Sequence, residues 1–200
     1  NGFGGHRIEG IGDKHVPWVH NVRNTDMVSA IDDEDCIRIM RLFNESKGKE
    51  YLAKLGIEEK TVEALVDIGI SGISNLLSAI KTAKYFEMDE NDFIFTIFTD
   101  SMSMYNSRIE EARAEKGEYT EFDAARDHAS CLMKQSVDFL KELSYYDRKA
   151  IHNLKYYTWI EQQGRAVEEL NRQWNPDYWN DLFENEVHEF DKLIEEFNKL

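Results

Sequence analysis

The stretch that decides the predicted fold is Phe93-Ile94-Phe95-Thr96-Ile97-Phe98-Thr99. All seven of its residues are aromatic or β-branched, which favours a strand over a helix. The run is also shorter than a typical helix. We therefore predict a buried β-strand over residues 93–99.

The segments upstream of this stretch alternate between strand and helix. Residues 25–31 alternate as a short strand, and Asp32 or Asp33 is placed to cap a following helix. A second helix is predicted over residues 59–67, and the turn at Gly69-Ile70-Ser71-Gly72-Ile73-Ser74 opens a third, more hydrophobic one. Strand, helix, helix and strand in this order are typical of an α/β domain with a parallel sheet.

Helical patterns dominate the chain after Asp100. The capping boxes Thr120-x-x-Asp123 and Ser144-x-x-Asp147 each predict the start of a helix. Near the C-terminus, apolar residues recur at alternating steps of four and three, which predicts an amphipathic helix. We expect its apolar stripe to pack on the rest of the protein or across a two-fold dimer interface. The stripe consists of Phe183, Val187, Phe190, Ile194 and Phe197.

Composition excludes several classes of protein. The 200 residues include 39 acidic and 24 basic side chains, and the net charge of −15 repels nucleic acids and anionic membranes. No run approaches the roughly 18 apolar residues of a membrane-spanning helix, and no signal-sequence pattern is present. Cys36 and Cys131 lack a metal or redox spacing and are typical of buried thiols in a reducing compartment. We therefore expect a cytoplasmic protein that binds neither nucleic acid nor membrane.

The first part of the chain is rich in glycine. It starts at Asn1 and continues as Gly2-Phe3-Gly4-Gly5, so we expect that an upstream portion of the polypeptide is missing. Gly10 and Gly12 flank Ile11 in a polar loop. Because glycine has no Cβ, this backbone can approach a flat or anionic ligand closely, or it can form a surface turn with positive φ. The spacing alone does not decide between the two.

The candidate polar groups are Ser71 and a few loop residues. The Ser71 hydroxyl can cap the helix that it opens, or it can hydrogen-bond a ligand at the positive end of the helix dipole. Asp13, His15 and His20 lack the spacing of a zinc site, so we predict no metal centre. Lys14 lies between polar neighbours, whereas an imine-forming lysine is usually buried or beside a cation. We expect Lys14 to contact substrate or another domain.

Taken in order, these segments resemble the C-terminal half of the fold-type II pyridoxal-phosphate enzymes, the group of cysteine synthase, cystathionine β-synthase and threonine dehydratase. The cysteine synthase-like branch is the most similar. The resemblance covers roughly residues 1–105, and the sequence departs from the family pattern at Gly72-Ile73-Ser74 and at Met102. It depends on Gly10-Ile11-Gly12, the strand ending near Asp26, the helix starting near Asp32, the Gly-Ile-Ser-Gly sequence around Ser71, and the strand leading into Asp100-Ser101.

The resemblance implies an α/β fold. Residues 1–105 are expected to form the C-terminal part of the pyridoxal-phosphate-binding large domain, a parallel sheet with helices, and residues 106–200 a mostly α-helical extension. It also implies that Gly10, Ile11 and Gly12 pass beside pyridoxal 5′-phosphate and that Ser71 hydrogen-bonds the pyridine nitrogen. A neutral hydroxyl at that nitrogen favours β-elimination and β-replacement over transamination. The Schiff-base lysine and the phosphate-binding loop are expected upstream, so the isolated chain contains no catalytic residue.

The predicted function is that of the C-terminal portion of a pyridoxal-phosphate-dependent lyase or transferase. Such an enzyme acts on a small amino acid by β-elimination or β-replacement. Its expected partners are the amino-acid substrate, the missing N-terminal portion of the same enzyme and a second copy in a homodimer. Two alternatives stay open: a non-catalytic regulatory or assembly module derived from this fold, and an acyl-transfer or isomerase enzyme on the same scaffold.

Overall fold

A computed structural model describes residues 5–199 of the chain. The predicted α/β fold with a parallel sheet is wrong, because the protein is mainly α-helical: 63% of the described residues are in helices, and these residues form one two-stranded antiparallel sheet. The run Gly2-Phe3-Gly4-Gly5 lies outside the described residues except for Gly5. Residues 22–24, 65–67 and 102–104 form 3-10 turns, and 128–133, 156–162 and 182–186 form π-helical segments. The main elements are β1 (Met27–Ser29), α1 (Asp33–Asn44), α2 (Ser46–Lys54), α3 (Glu59–Ala64), α4 (Ile70–Tyr85), α5 (Asn106–Lys116), α6 (Glu121–Asp127), β2 (Leu140–Glu142), α7 (Tyr145–Lys155), α8 (Val167–Arg172), α9 (Pro176–Asp181) and α10 (Val187–Phe197).

The chain divides into two compact units that do not follow the order of the sequence. The first unit comprises Asn1–Gly12 and Ser29–Lys141, and the second comprises Asp13–Val28 and Glu142–Leu200. The resemblance implies a domain boundary near residue 105 within a larger enzyme, and this boundary stays a prediction. Each unit is therefore described by itself below.

Helix α1 is the centre of the first unit. It begins where the sequence predicts, because the Asp32 carboxylate caps it by accepting a hydrogen bond from the Glu34 backbone N–H at 2.9 Å. Its apolar side packs against α2 and α4. From α4, Ile70, Ile73 and Leu77 contribute fully buried side chains to the same core. The buried apolar residues of α1 are Cys36, Ile37, Ile39, Met40, Leu42 and Phe43.

A buried ion pair closes the C-terminal end of α1. Arg41 Nε donates to Glu45 Oε1 at 2.9 Å, and both side chains are only 5% exposed. Arg113 of α5 lies 2.8 Å from the other Glu45 oxygen, and Arg41 also donates to the Gly117 carbonyl oxygen at 2.7 Å. Because each charge has several partners, the pair offsets the cost of removing it from water. It ties α1 to α5 inside the first unit.

The predicted buried strand over Phe93–Thr99 is wrong. The segment contains no helix or strand, and within residues 5–199 no backbone–backbone hydrogen bond joins residues 93–98 to another segment. Phe93, Phe95 and Ile97 are 80%, 95% and 71% exposed. On the opposite side the Phe98 ring lies beside Gly72 of α4. A strand needs a neighbouring strand for its hydrogen bonds, and the described residues provide none here.

The second unit contains a fully buried lysine. Lys155 lies at the end of α7 and has no exposed surface. Its Nζ donates to the Trp18 carbonyl oxygen at 2.9 Å, the His20 carbonyl oxygen at 2.7 Å and Gln173 Oε1 at 2.8 Å. Burial lowers the pKa of Lys155 to about 8. Because these acceptors come from an irregular loop and from the segment after α8, the ammonium group connects three parts of this unit.

No single helix within residues 5–199 is long and apolar enough to cross a membrane. Glu59–Asp67 and Ile70–Tyr85 pass the same test of length and composition only as a pair, which is bent by 116°. The second member of this pair belongs to the core of the first unit, where Ile70, Ile73 and Leu77 are buried.

Replacing the buried ammonium should destabilise the second unit. Lys155→Met keeps the apolar stem but leaves three acceptors without a donor, so we expect a loss of about 2–4 kcal/mol in the free energy of unfolding. Lys199→Met, at an exposed position, is the matched control and should change little. Urea denaturation followed by circular dichroism measures both. Equal stability of Lys155→Met and the parent chain would contradict this role.

The same pair of proteins gives a pH test. The pKa of Lys155 is about 8 in the folded chain, below its ordinary value of 10.5. Between these values the unfolded state binds more protons than the folded state, so the free energy of unfolding rises with pH. The stability lost in Lys155→Met should therefore increase as the pH rises from about 8 to about 10. A loss that is constant over this window would show that Lys155 keeps its ordinary pKa.

Candidate functional site

A pocket of about 540 Å³ lies in the first unit, between the loop of residues 5–12 and the first residues of α1. Ser74 of α4 and the chain from Ser29 to Ile31 complete its wall. The pocket thus brings together three segments that are far apart in the sequence. Its lining residues are Gly5, His6, Ile8, Ile11, Gly12, Ser29, Ala30, Ile31, Asp32, Asp33 and Ser74.

Arg7 fixes the loop of residues 5–12 against the start of α1. Its backbone N–H donates to Asp33 Oδ2 at 2.9 Å, and its guanidinium contacts Asp33 at 3.3 Å and Glu34 at 2.7 Å. Burial opposes ionisation of Glu34, but hydrogen bonds from Lys116, Arg7 and Arg38 lower its pKa to about 2. These groups are therefore charged at neutral pH, and the loop is held by ion pairs rather than by secondary structure.

Two further contacts hold the same loop. The Ile8 side chain is 6% exposed and belongs to the hydrophobic core of the first unit. Glu9 pairs with Arg108 of α5. Ile8 also lines the pocket, so this side chain connects the pocket wall to the hydrophobic core.

The predicted cofactor loop, Gly10-Ile11-Gly12, lies at the pocket. Ile11 and Gly12 line it, whereas Gly10 does not. Gly10 and Gly12 have φ of 83° and 77°, in the left-handed region that favours glycine. A Cβ on Gly12 would lie 3.0 Å from His6 Nε2, while a Cβ on Gly10 would meet nothing within 4 Å. Gly12 therefore allows a close approach of the backbone to the His6 ring, and Gly10 serves a turn.

The predicted cofactor residue Ser71 does not line the pocket. Its side chain is buried, and its Oγ lies 2.9 Å from Thr99 Oγ1. It does not cap α4 either, because the residue at the cap position is Gly69. The hydroxyl of Ser71 is thus used to attach the segment after Phe98 to α4. Its proposed contact with a pyridine nitrogen stays a prediction.

Ser74 and Ser29 are the hydroxyls that the structure brings to the pocket, and the sequence analysis missed both. Ser74 lies one turn after Ser71 on α4, and both Ser74 and Cys36 of α1 are buried. Burial raises the pKa of Cys36 to about 12, so this thiol is not a nucleophile. The i, i+3 spacing from Ser71 is the one sequence signal that points to Ser74.

Ser29 carries the most informative atom of the site. Its Oγ is buried and has no hydrogen-bond partner within the part of the chain that the structure describes. A buried hydroxyl without a partner costs about 1–3 kcal/mol, and such groups in native proteins need an explanation. A ligand that offers a donor or an acceptor inside this pocket would satisfy it. No sequence pattern marks Ser29, because the feature arises from burial alone.

The charges around the pocket restrict which ligand fits. No lysine or arginine is among its lining residues, whereas the carboxylates of Asp32 and Asp33 are. Four acidic residues lie at the cap and in the first turn of α1. Their negative charge neutralises the positive end of the helix dipole, so this end does not attract a phosphate. Apolar walls from Ile8, Ile11 and Ile31 suit a flat ring. The residues present therefore fit the ring of pyridoxal phosphate and not its phosphate group.

The other groups considered from the sequence lie elsewhere. Lys14 is exposed in the second unit. The His15 ring lies 2.7 Å from the Asp13 carboxylate, which accounts for this pair without a metal. Within residues 5–199, no group of three or more histidine, cysteine and acidic side chains is arranged to hold a metal ion.

Removing the unpartnered hydroxyl tests the pocket directly. Ser29→Ala should leave the free energy of unfolding unchanged or raise it by up to about 1 kcal/mol, because a buried polar group without a partner is lost. Ser71→Ala, in the same unit, removes a hydroxyl that is hydrogen-bonded to Thr99 and should lower it by about 1 kcal/mol. Thermal denaturation measures both variants. A clear destabilisation by Ser29→Ala would show that its hydroxyl already has a partner.

A double-mutant cycle tests the link between Ser71 and Thr99. Ser71→Ala and Thr99→Val should each cost about 1 kcal/mol of stability. The double variant should cost at least about 0.5 kcal/mol less than the sum, because both changes remove the same hydrogen bond. Strictly additive losses in urea denaturation would show that the two hydroxyls do not interact.

No family model matches this chain, and no curated protein or solved structure shows a significant similarity to it. The pocket is therefore interpreted from its own residues. What these residues establish is an apolar site with one unpartnered hydroxyl, bordered by carboxylates and closed by a loop that ion pairs hold in place.

Proposed function

We propose that this chain forms the ring-binding side of the active site in a pyridoxal-phosphate-dependent enzyme that eliminates or replaces a β-substituent of a small amino acid. One observation carries the proposal. Ile11 and Gly12, which the resemblance assigns to the cofactor, line a pocket with Ser74 of α4 and with the unpartnered hydroxyl of Ser29. The loop and α4 are thus neighbours, although some 60 residues of sequence separate them.

The chemistry of the lining supports a flat heteroaromatic ligand. Ile8, Ile11 and Ile31 supply apolar surface for its faces, and Ser29 supplies a polar atom for its edge. Pyridoxal phosphate, when bound, supplies the electron sink for chemistry at the α-carbon of an amino acid. The residues of this chain bind and orient the ring and exclude water from one side of it. The Asp32 carboxylate, which pairs with no lysine or arginine among the described residues, favours a substrate that carries an ammonium group.

The remaining functional groups belong to another part of the enzyme. Among residues 5–199, the pocket is lined by no lysine for the Schiff base and by no lysine or arginine for the phosphate. We assign both to the N-terminal portion of the same enzyme, and we assign the assembled protein to a cytoplasmic homodimer. Two free, buried cysteines are consistent with a reducing compartment.

A non-catalytic assembly module is the second candidate function. The exposed side chains of Phe93, Phe95 and Ile97 favour it, because apolar surface of this kind marks a contact with another polypeptide. Both functions predict such a contact, so the cofactor itself must separate them. The acyl-transfer or isomerase alternative has no specific support among the lining residues.

The visible spectrum of the protein from its native source tests the proposal. After incubation with pyridoxal phosphate, the protein should absorb visible light, and borohydride should bleach this absorption. The recombinant 200-residue chain should remain colourless, because the lysine that forms the Schiff base is assigned elsewhere. A native protein that stays colourless would support the assembly module and overturn the enzyme.

A pair of glycine variants connects the spectrum to the pocket. Gly12→Ala strains a backbone with φ of 77° and displaces the His6 ring, so the native protein should retain less cofactor. Gly117→Ala strains a backbone with φ of 78° in the same unit, where a Cβ meets nothing within 4 Å. It should lose comparable stability, about 1 kcal/mol, but keep its absorption. Equal cofactor retention in both variants would show that the cofactor does not bind in this pocket.

A further inference from the structure

The C-terminal helix carries a wide apolar stripe that the second unit leaves in water. Phe190 is 49% exposed, Ile194 57% and Phe197 73%, although they follow the spacing of a buried helix face. Neighbouring Leu193 is 61% exposed as well. No residue of α10 is buried. The prediction that this stripe packs on the rest of the protein is therefore not met within this unit.

A groove continues the stripe at its N-terminal end. It has a volume of about 600 Å³, and Phe183 and Val187 of the stripe line it together with Val19, Trp179 and Leu182. Val19 is 79% exposed, so the groove is open to solvent. The groove is also lined by polar residues, among them Arg23 and Glu184. Because stripe and groove share Phe183 and Val187, we call them together the C-terminal face. A pocket of this size accepts the large apolar side chain by which a helix anchors itself in a groove.

Acidic side chains border the C-terminal face. Glu184 and Glu186 lie in the π-helical segment that precedes α10, and Asp191 lies in α10 directly after Phe190 of the stripe. Within residues 5–199, no lysine or arginine pairs with any of these three carboxylates. Lys192, the one lysine or arginine between 182 and 197, pairs with Glu189 at 2.6 Å. Arg23, which lines the groove, donates to the Trp174 carbonyl oxygen at 2.8 Å, and the border is mainly negative.

This charge decides what can cover the face. Residues 182–197 carry six acidic side chains and one lysine, so a second copy would bring like charges together, and the chains each carry a net charge of −15. Positive charge at the matching positions of a partner would instead pair with them. A homodimer through another surface is unaffected.

We propose that the C-terminal face docks a basic amphipathic helix of a partner polypeptide. The partner's apolar residues pack on Phe190, Ile194 and Phe197, one large side chain enters the groove beside Trp179, and lysine or arginine residues flank the apolar stripe of that helix. This inference does not depend on the proposed cofactor. It concerns a different unit and a different kind of ligand.

Two synthetic helical peptides test the proposal on the 200-residue chain. Both carry leucine at the two core positions of each heptad; one has lysine at the flanking positions and the other has glutamate. We expect the lysine peptide to bind at least about tenfold more tightly than the glutamate peptide, with an affinity that falls as salt is added. Isothermal titration calorimetry measures both. Equal binding of the two peptides, or no binding of either, would overturn the proposal.

Charge reversal gives the decisive variant. In Glu184→Lys/Glu186→Lys/Asp191→Lys the preference should switch to the glutamate peptide. The matched control, Glu58→Lys/Glu63→Lys/Glu90→Lys, makes the same change of net charge at exposed positions of the first unit and should keep the original preference. An equal response of both triple variants would show that net charge, and not the face, selects the peptide.

An apolar variant and the mass in solution complete the test. Phe190→Asp and Ile194→Asp should each weaken binding of the lysine peptide at least about tenfold while the circular dichroism spectrum stays unchanged, because both side chains are exposed. Sedimentation of the free chain should show no association through this face. A dimer that Phe190→Asp dissociates would make a second copy the occupant and overturn the proposal.

Discussion

The candidate site depends on the ion pairs that Arg7 makes with the first turn of α1. Residues 5–12 form no helix or strand, so backbone hydrogen bonds cannot hold them in place. Arg7 contacts Asp33 and Glu34 at the N-terminal end of α1, where these carboxylates also neutralise the positive end of the helix dipole. At this helix end Asp32 caps the helix, Asp33 and Glu34 anchor the loop, and the negative charge disfavours an anion in the pocket. Loss of this anchor would open one wall of the pocket.

Each of the two units has an apolar surface that its own residues leave exposed. In the first unit, the extended segment Phe93–Phe98 has its side toward α4 partly covered and the opposite side in water. In the second unit, α10 contributes no buried residue. Exposed apolar surfaces of this kind are unfavourable in a monomer, because burying large apolar groups against a partner lowers the free energy. The net charge of −15 limits that association to partners with complementary charge.

Local signals were predictable from the sequence, and long-range pairing was not. The capping boxes at Thr120 and Ser144 and the cap at Asp32 are present, since each depends on residues within one helical turn. The sheet was predicted wrongly because Phe93–Thr99 has the composition of a strand, while hydrogen bonds to a neighbouring strand decide whether one forms. In the pocket, Ile11 and Gly12 are lining residues, and their assignment to a cofactor stays a prediction. Ser29 could not be found, because only burial makes its hydroxyl informative.

The charges around the pocket suit an apolar ring of a ligand but not an anionic group such as a phosphate. A phosphate carries up to two negative charges at neutral pH and is held by backbone N–H groups or by cations. Asp33 is compensated by Arg7, but Asp32 is engaged only with backbone, so the border of the pocket stays negative. A ligand with an apolar ring must therefore point its anionic group away from α1 and toward another part of the protein. The same border favours a cationic group such as an ammonium over an anionic one.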